Sequence, residues 1–296
     1  MVSEDTIGGK PVFVFERHNY ALIPWARIAR ANRGAVRLLT LDYHTDTRPA
    51  FVGYACQQFR HHIAKPEEWS PLASSEIATI LVEDDESVEV AVTRLRHDEH
   101  IDAAVRSGIL DLAFVVANQD HGHIVSNEQL ALNRVLGPGL TIATDGGPIT
   151  IHLPRQAEPP FTYTIPDNRI VVLPRRHDYL WLEGDEDDRG YRDSAVDSRF
   201  LAERLELIDT ICSTAAVPGL FERPFVLDID LDYFNTQRSI SPGDTQVFHD
   251  LIHRAEAITI ARETTCVESC QLEGEGLTSA FLEQKVKMHI AAALAG

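Results

Sequence analysis

The sequence predicts an α/β protein of three layers, with helices on both faces of a mostly parallel central sheet. Three observations carry that prediction. Short apolar runs rich in Val, Ile, Leu and Phe alternate with stretches of helical period, beginning with Pro11–Phe15, Ala21–Ala31 and Leu38–Leu41 in βαβ order. The same helix-then-strand order returns ahead of the apolar run Pro224–Leu227. Several of these runs end in titratable residues, and open parallel sheets gather their carboxyl ends along one edge, where ligands bind. A chain of 296 residues with 44% hydrophobic content can bury a large core, and residues 1–296 are read as a single domain.

Taken in order, Gly8-Gly9-Lys10 is a loop, and Pro11-Val12-Phe13-Val14-Phe15 is a first buried strand that delivers Glu16, Arg17 and His18 to its end. Ala21 to Ala31 places Leu22, Ile23, Trp25, Ile28 and Ala29 near helical spacing. The next strand runs straight into Asp42-Tyr43-His44-Thr45-Asp46. Side chains at alternate positions of an extended chain share one face, so Asp42, His44 and Asp46 can converge at its exit. Buried together they need a positive partner, and a divalent metal ion supplies one.

Thr47–Phe51 is a turn, and no role is assigned to the stretch from there to Pro71; adjacent His61 and His62 point in different directions and read as a solvated pair. The acidic run Glu83–Glu86 caps a helix over Ser87–Arg96, a second helix over His100–Ser107 is closed by Gly108, and Ile109–Ala117 is a central strand. Its end carries Asn118-Gln119-Asp120-His121-Gly122-His123. Gly137 to Pro166 reads as a hairpin excursion, Asn168–Pro174 as a strand and Glu183–Asp188 as a solvated acidic loop. A long helix over Asp197–Ser213 leads to Leu227-Asp228-Ile229-Asp230-Leu231-Asp232-Tyr233-Phe234, a second apolar run with alternating carboxylates. Ser241–Asp244 opens a helix to Glu256, Ala257–Ala261 is a last core strand followed by Glu263 and Glu268, and Ser279–Leu294 is an amphipathic packing helix.

These motifs carry a resemblance. Asp42-Tyr43-His44-Thr45-Asp46 resembles the D-x-H-x-D motif of the arginase/deacetylase (ureohydrolase-like) superfamily, and Leu227-Asp228-Ile229-Asp230 resembles its D-x-D motif after a strand. Phe15–Leu22 is similar to the G-G-D-H-S segment that supplies a histidine ligand, without its glycines. The run Leu227–Phe234 looks most like the uncharacterised branch that includes the peptide arginases of ribosomal-peptide biosynthesis. The resemblance implies an arginase-like fold holding two Mn2+ ions, with His18, Asp42, Asp46 and Asp228 around one and Asp42, His44, Asp228 and Asp230 around the other. Asp42 and Asp228 would bridge, and Asp232 would lie just outside, orienting a ligand. Such an oxygen-rich set is hard and favours manganese over thiolate-bound zinc. It further implies that His121, with His123 as alternate, handles a proton or contacts substrate, and that Glu268, with Glu263 in reserve, holds a guanidinium group.

The implied activity is manganese-dependent hydrolysis of peptidyl arginine to ornithine and urea. The proline that free-arginine enzymes carry soon after the H-G step is absent at Ile124-Val125-Ser126, which turns the reading from free arginine to an arginine-containing peptide. A hydrolase of small guanidino compounds, an amide deacetylase and a binding module that keeps a structural metal are the alternatives. Lys and Arg number 27 against 45 Asp and Glu, a net charge of −18, which disfavours nucleic acid and suits a cationic substrate. Cys56, Cys212, Cys266 and Cys270 form no disulfide framework and read as buried reduced thiols. No membrane span or basic-then-apolar leader is evident, so the expected compartment is the cytoplasm.

Overall fold

The computed structural model describes residues 2–58, 66–118, 140–144, 147–151, 164–173 and 188–295. Its strands are β1 (Ser3–Ile7), β2 (Lys10–Phe15), β3 (Val36–Asp42), β4 (Leu110–Ala117), β5 (Leu140–Thr144), β6 (Gly147–Ile151), β7 (Ile170–Leu173), β8 (Phe225–Asp230) and β9 (Ala257–Ala261). Seven of them form one sheet in the order β1-β2-β9-β8-β3-β4-β7, and β5 pairs with β6 in a separate antiparallel ribbon. Every pairing in the large sheet is parallel except β1 with β2. All of its parallel strands therefore end on the same side.

Alternation along the strands feeds two cores. Val12, Val14, Leu39, Leu41, Leu227 and Ile229 face a cluster completed by the helices Ser198–Thr214, Gln246–Arg254 and Ser279–Ala293. Phe13, Phe15, Leu38, Val115 and Val226 face the opposite way, onto α1 (Leu22–Ala31), α4 (Asp85–Arg94) and α5 (His100–Arg106). The architecture is thus α/β/α with a mostly parallel sheet, as predicted. The acidic run before α4 does cap it: the Asp84 carboxylate accepts from the Glu86 N–H at 3.1 Å. Asp197 caps the helix Ser198–Thr214 in the same way, accepting from the Arg199 N–H at 3.0 Å. No helix among the described residues is long and apolar enough to cross a membrane.

The differences have local causes. β1 lies where no strand was expected, because Ser-Glu-Asp-Thr is polar and mostly exposed; it pairs through Gly8 and Gly9, whose φ of 56° and 85° suit a tight hairpin turn. The unassigned stretch contains the helix α2 (Val52–Gln58) and the start of a second, α3 (Pro66–Ile77), and His61-His62 lies outside the described residues. The helix expected from Ser241 begins at Gln246, whose N–H is accepted by Asp244 at 3.0 Å. Residues Thr264–Cys270, to which no element was assigned after the last strand, are helical. Of the four cysteines only Cys212 is buried, and Cys56, Cys266 and Cys270 are partly exposed, which corrects the reading of all four as buried thiols.

Candidate metal centre

The carboxyl ends of β2, β3, β8 and β9 bring together His18, Asp42, His44, Asp46, Asp228, Asp230, Asp232 and Glu263. Strand register sets their depths. Thr40, Asp228 and Thr259 lie side by side in neighbouring strands, while Asp42 and Asp230 stand two residues further along and point to the same face. His18 opens a short 3-10 turn immediately after β2, fully buried beneath α5.

His18 uses its two ring nitrogens differently. Nε2 lies 2.8 Å from Asp228 Oδ2, whereas Nδ1 lies 3.1 Å from Asp46 Oδ2, 3.1 Å from Asp230 Oδ2 and 3.7 Å from Asp42 Oδ2. Asp228 is engaged on both oxygens: Oδ2 also accepts from the Thr40 hydroxyl at 2.7 Å, and Oδ1 accepts from the Thr259 hydroxyl. Thr259 in turn accepts from the Trp25 indole N–H at 3.2 Å. Asp228, for which the resemblance implies a bridging position, therefore sits one layer below Asp42 and Asp230 and meets the imidazole at Nε2. Asp232, expected just outside and orienting a ligand, faces His44, whose Nδ1 is 3.0 Å from Asp232 Oδ2. The Leu231–Tyr233 turn that carries it is tied down by Asn118, which donates to Tyr233 O at 2.7 Å and Asn235 Oδ1 at 2.9 Å.

Burial and the mutual repulsion of the aspartates set the electrostatics of the cluster. Burial, then the charges of Asp46, Asp230 and Asp232, pushes the Asp42 carboxyl well above the usual carboxylate range. Burial and Asp232 push Asp230 in the same direction, and burial raises Asp46 although His18 opposes it. Burial disfavours the charged form of His44, but its hydrogen bond to Asp232 and the surrounding aspartates outweigh that and raise it to about 9. Asp42 Oδ2 is buried without a hydrogen-bond partner among the described residues. Oxygen donors crowded together, raised in pKa and left unpaired fit divalent cations. Three groups of donors among the described residues satisfy the distances required: His18, Asp42 and Asp230 form one, His18, Asp46 and His100 a second and His44, Asp232 and Cys270 a third, with one donor atom per residue and all donor atoms of a group within 4.8 Å of one another.

The two glutamates after β9 are placed differently. Glu263 caps the helix Thr264–Cys270 in a left-handed conformation, φ 33°, and its Oε1 accepts from the His18 N–H at 2.9 Å. Its Oε2 accepts from the Cys266 thiol at 3.2 Å, and burial together with Glu263 raises that thiol strongly, keeping it protonated. Glu268 lies on the exposed side of the same helix. His121 and His123 lie outside the described residues. Sequence reasoning missed His100, whose ring stacks on that of His18 with centroids 4.3 Å apart. It had read His100 only as the first residue of a helix, and helical period alone does not reveal what a buried polar position faces.

No protein-family model matches this chain, and no curated protein sequence matches it. Among solved structures it is similar to proclavaminate amidino hydrolase from Streptomyces clavuligerus, at 10% identity and a TM-score of 0.38, over 96% of this chain. The chain spans 64% of the length of that relative.

Proposed function

We propose that this protein is a metal-dependent hydrolase that cleaves the guanidinium group of arginine within a peptide, releasing urea and leaving an ornithine side chain. The observation that carries the reading is Glu263: a half-buried carboxylate held beside a cluster of histidine and aspartate at the sheet edge, where a cationic group can reach it. The resemblance of Asp42–Asp46 and Leu227–Phe234 to the peptide-arginase branch supports the substrate class, and the net charge of −18 suits a cationic peptide.

The geometry supports one change in the donor assignment. His18, Asp42, Asp46 and Asp230 would hold one ion, and Asp42, His44, Asp230 and Asp232 the other, with Asp42 and Asp230 shared. A bound pair of divalent ions, manganese in this proposal, supplies an ionised water near neutral pH and electrophilic assistance at the guanidinium carbon. The chain's own residues do the rest. Asp228 takes the Nε2–H of His18 and turns Nδ1 toward the cluster. Glu263 pairs with the guanidinium cation, while the Cys266 thiol and the His18 N–H fix the carboxylate from behind. Water adds to the guanidinium carbon, the bond from that carbon to the arginine Nε breaks, and the leaving amine takes up a proton, a step for His121 with His123 as alternate.

The test is mass spectrometry of arginine-containing peptides incubated with the manganese-loaded protein, with urea assayed in parallel and free arginine as a second substrate. Loss of CN2H2 per arginine with matching urea is expected from the peptide. Urea from free arginine alone would replace the peptide substrate with the amino acid, and no urea from either would overturn the guanidinium reading.

Two variants probe the assignment. Glu263→Gln is expected to keep both ions and lower kcat/KM by roughly 10- to 100-fold, the scale of one lost hydrogen bond to a charged group. Glu268→Gln should leave the same steady-state kinetics unchanged. Asp228→Asn removes the charge and one of the two acceptor oxygens that His18 Nε2–H, Thr40 and Thr259 share, and is expected to weaken metal binding by roughly 10- to 100-fold, measured by titration calorimetry. Unaltered affinity in that variant would return Asp228 to a role unrelated to His18.

A further inference from the structure

We propose that His100 is a third histidine ligand of the centre, binding through Nε2 the divalent ion that His18 holds. The proposal rests on the metal-centre reading above and goes beyond it, because the motifs contain nothing that points to this residue.

His100 opens α5 and is fully buried. Its Nδ1 lies 2.7 Å from the carbonyl oxygen of His97, so that nitrogen carries the ring proton and donates it. The lone pair is then on Nε2, the tautomer that second-layer hydrogen bonding selects for metal-binding histidines. Nε2 is buried with no hydrogen-bond partner among the described residues. An acceptor left unpaired in the core is costly, and no described residue donates to it. His18, the nearest polar ring, cannot serve: its Nε2 is committed to Asp228 and its Nδ1 faces Asp46 and Asp230.

The surroundings aim the ring. Trp25 packs against it with centroids 5.3 Å apart, and His18 packs at 4.3 Å with an interplanar angle of 43°. His100, His18 and Asp46 each offer a donor atom within 4.8 Å of the other two, so one ion can reach all three. The consequence is chemical. A second imidazole makes the His18 position richer in nitrogen than its neighbour, and nitrogen donors favour Fe2+, Co2+ or Zn2+ over Mn2+. The two positions would then differ in metal preference within one centre.

The experiment loads the full-length protein with Co2+. His100→Phe keeps a ring of similar shape against His18 and Trp25 but has no nitrogen. His100→Gln restores a polar atom near the Nε2 position. Melting curves of the metal-free proteins verify that each variant folds. Wild type is expected to bind two Co2+ ions, and His100→Phe to bind one of them at least about tenfold more weakly. In proton NMR of the Co2+ form, the buried Nδ1–H of a ligating His100 gives a paramagnetically shifted exchangeable signal, which both variants lose. His100→Gln should recover part of the affinity. Folded variants that bind two ions with wild-type affinity and keep every shifted signal overturn the His100 assignment alone. A wild type that binds no Co2+ overturns the metal-centre reading and the assignment together.

Discussion

Asp42→Asn is expected to abolish binding of both divalent ions and with it all hydrolysis, while the chain still folds. Asp42 is the residue that the proposed donor sets share from β3, and it is fully buried, with one oxygen already lacking a partner. Asparagine keeps its shape and removes a charge that burial and three neighbouring aspartates disfavour. Without metal the variant should therefore melt no lower than the wild type. With metal the order should reverse, since only the wild type gains from binding. Elemental analysis after gel filtration, together with melting curves with and without Mn2+, separates the two effects. A variant that retains two ions would remove Asp42 from the centre.

The second large effect is the exchange between metal and protons. Asp42, Asp46, Asp230, His18 and His44 all have pKa values raised in the folded chain, so the metal-free folded state binds more protons than the unfolded one. Stability from such groups is complete below their unfolded values and is lost as pH rises through the folded ones. For His44 that window runs from 6.5 to about 9. Removing metal with a chelator is thus expected to give a protein whose melting temperature falls steadily from pH 5 to pH 9. Loaded protein should behave in the opposite sense over the acid part of that range, because protons compete with the ions for the same donors. At free metal a hundredfold above Kd, each ion contributes about 2.7 kcal/mol, or roughly 5–10 °C in melting temperature at ~2–4 °C per kcal/mol. A flat profile without metal would mean that the carboxylates are not clustered as described.

How much of this was legible in the sequence depends on which spacing carried the information. Asp42, His44 and Asp46 could be grouped because a period of two places them together wherever the strand ends. The same period does not separate the carboxylates of β8, since Asp228, Asp230 and Asp232 alternate alike and nothing local says at which of them the strand leaves the sheet. Neighbouring strands decide it: Thr40 and Thr259 flank Asp228 and take up its oxygens, leaving Asp230 at the rim. The preference for Glu268 over Glu263 came from the resemblance alone, because Thr264-Thr265-Cys266-Val267 has weak helix propensity and gives no local sign of a helix. Once those residues wind into a helix, Glu263 becomes its cap and Glu268 turns outward. β1 was invisible for a simpler reason, that an edge strand facing water needs no apolar pattern.

The strand order also dictates when this protein can mature. β2 and β3 are made one after the other, yet β9 and β8 lie between them in the sheet. A nascent chain that has emerged only as far as β4 holds His18 and Asp42 on strands that have no bond to each other, with a two-strand gap where β8 and β9 belong. The ribosome supplies those pieces after residue 224, so the gap is filled late and from the C-terminal side. Metal capture, as proposed, therefore has to wait until β8 and β9 have been made, and a loaded centre would certify that these two strands have joined β2 to β3.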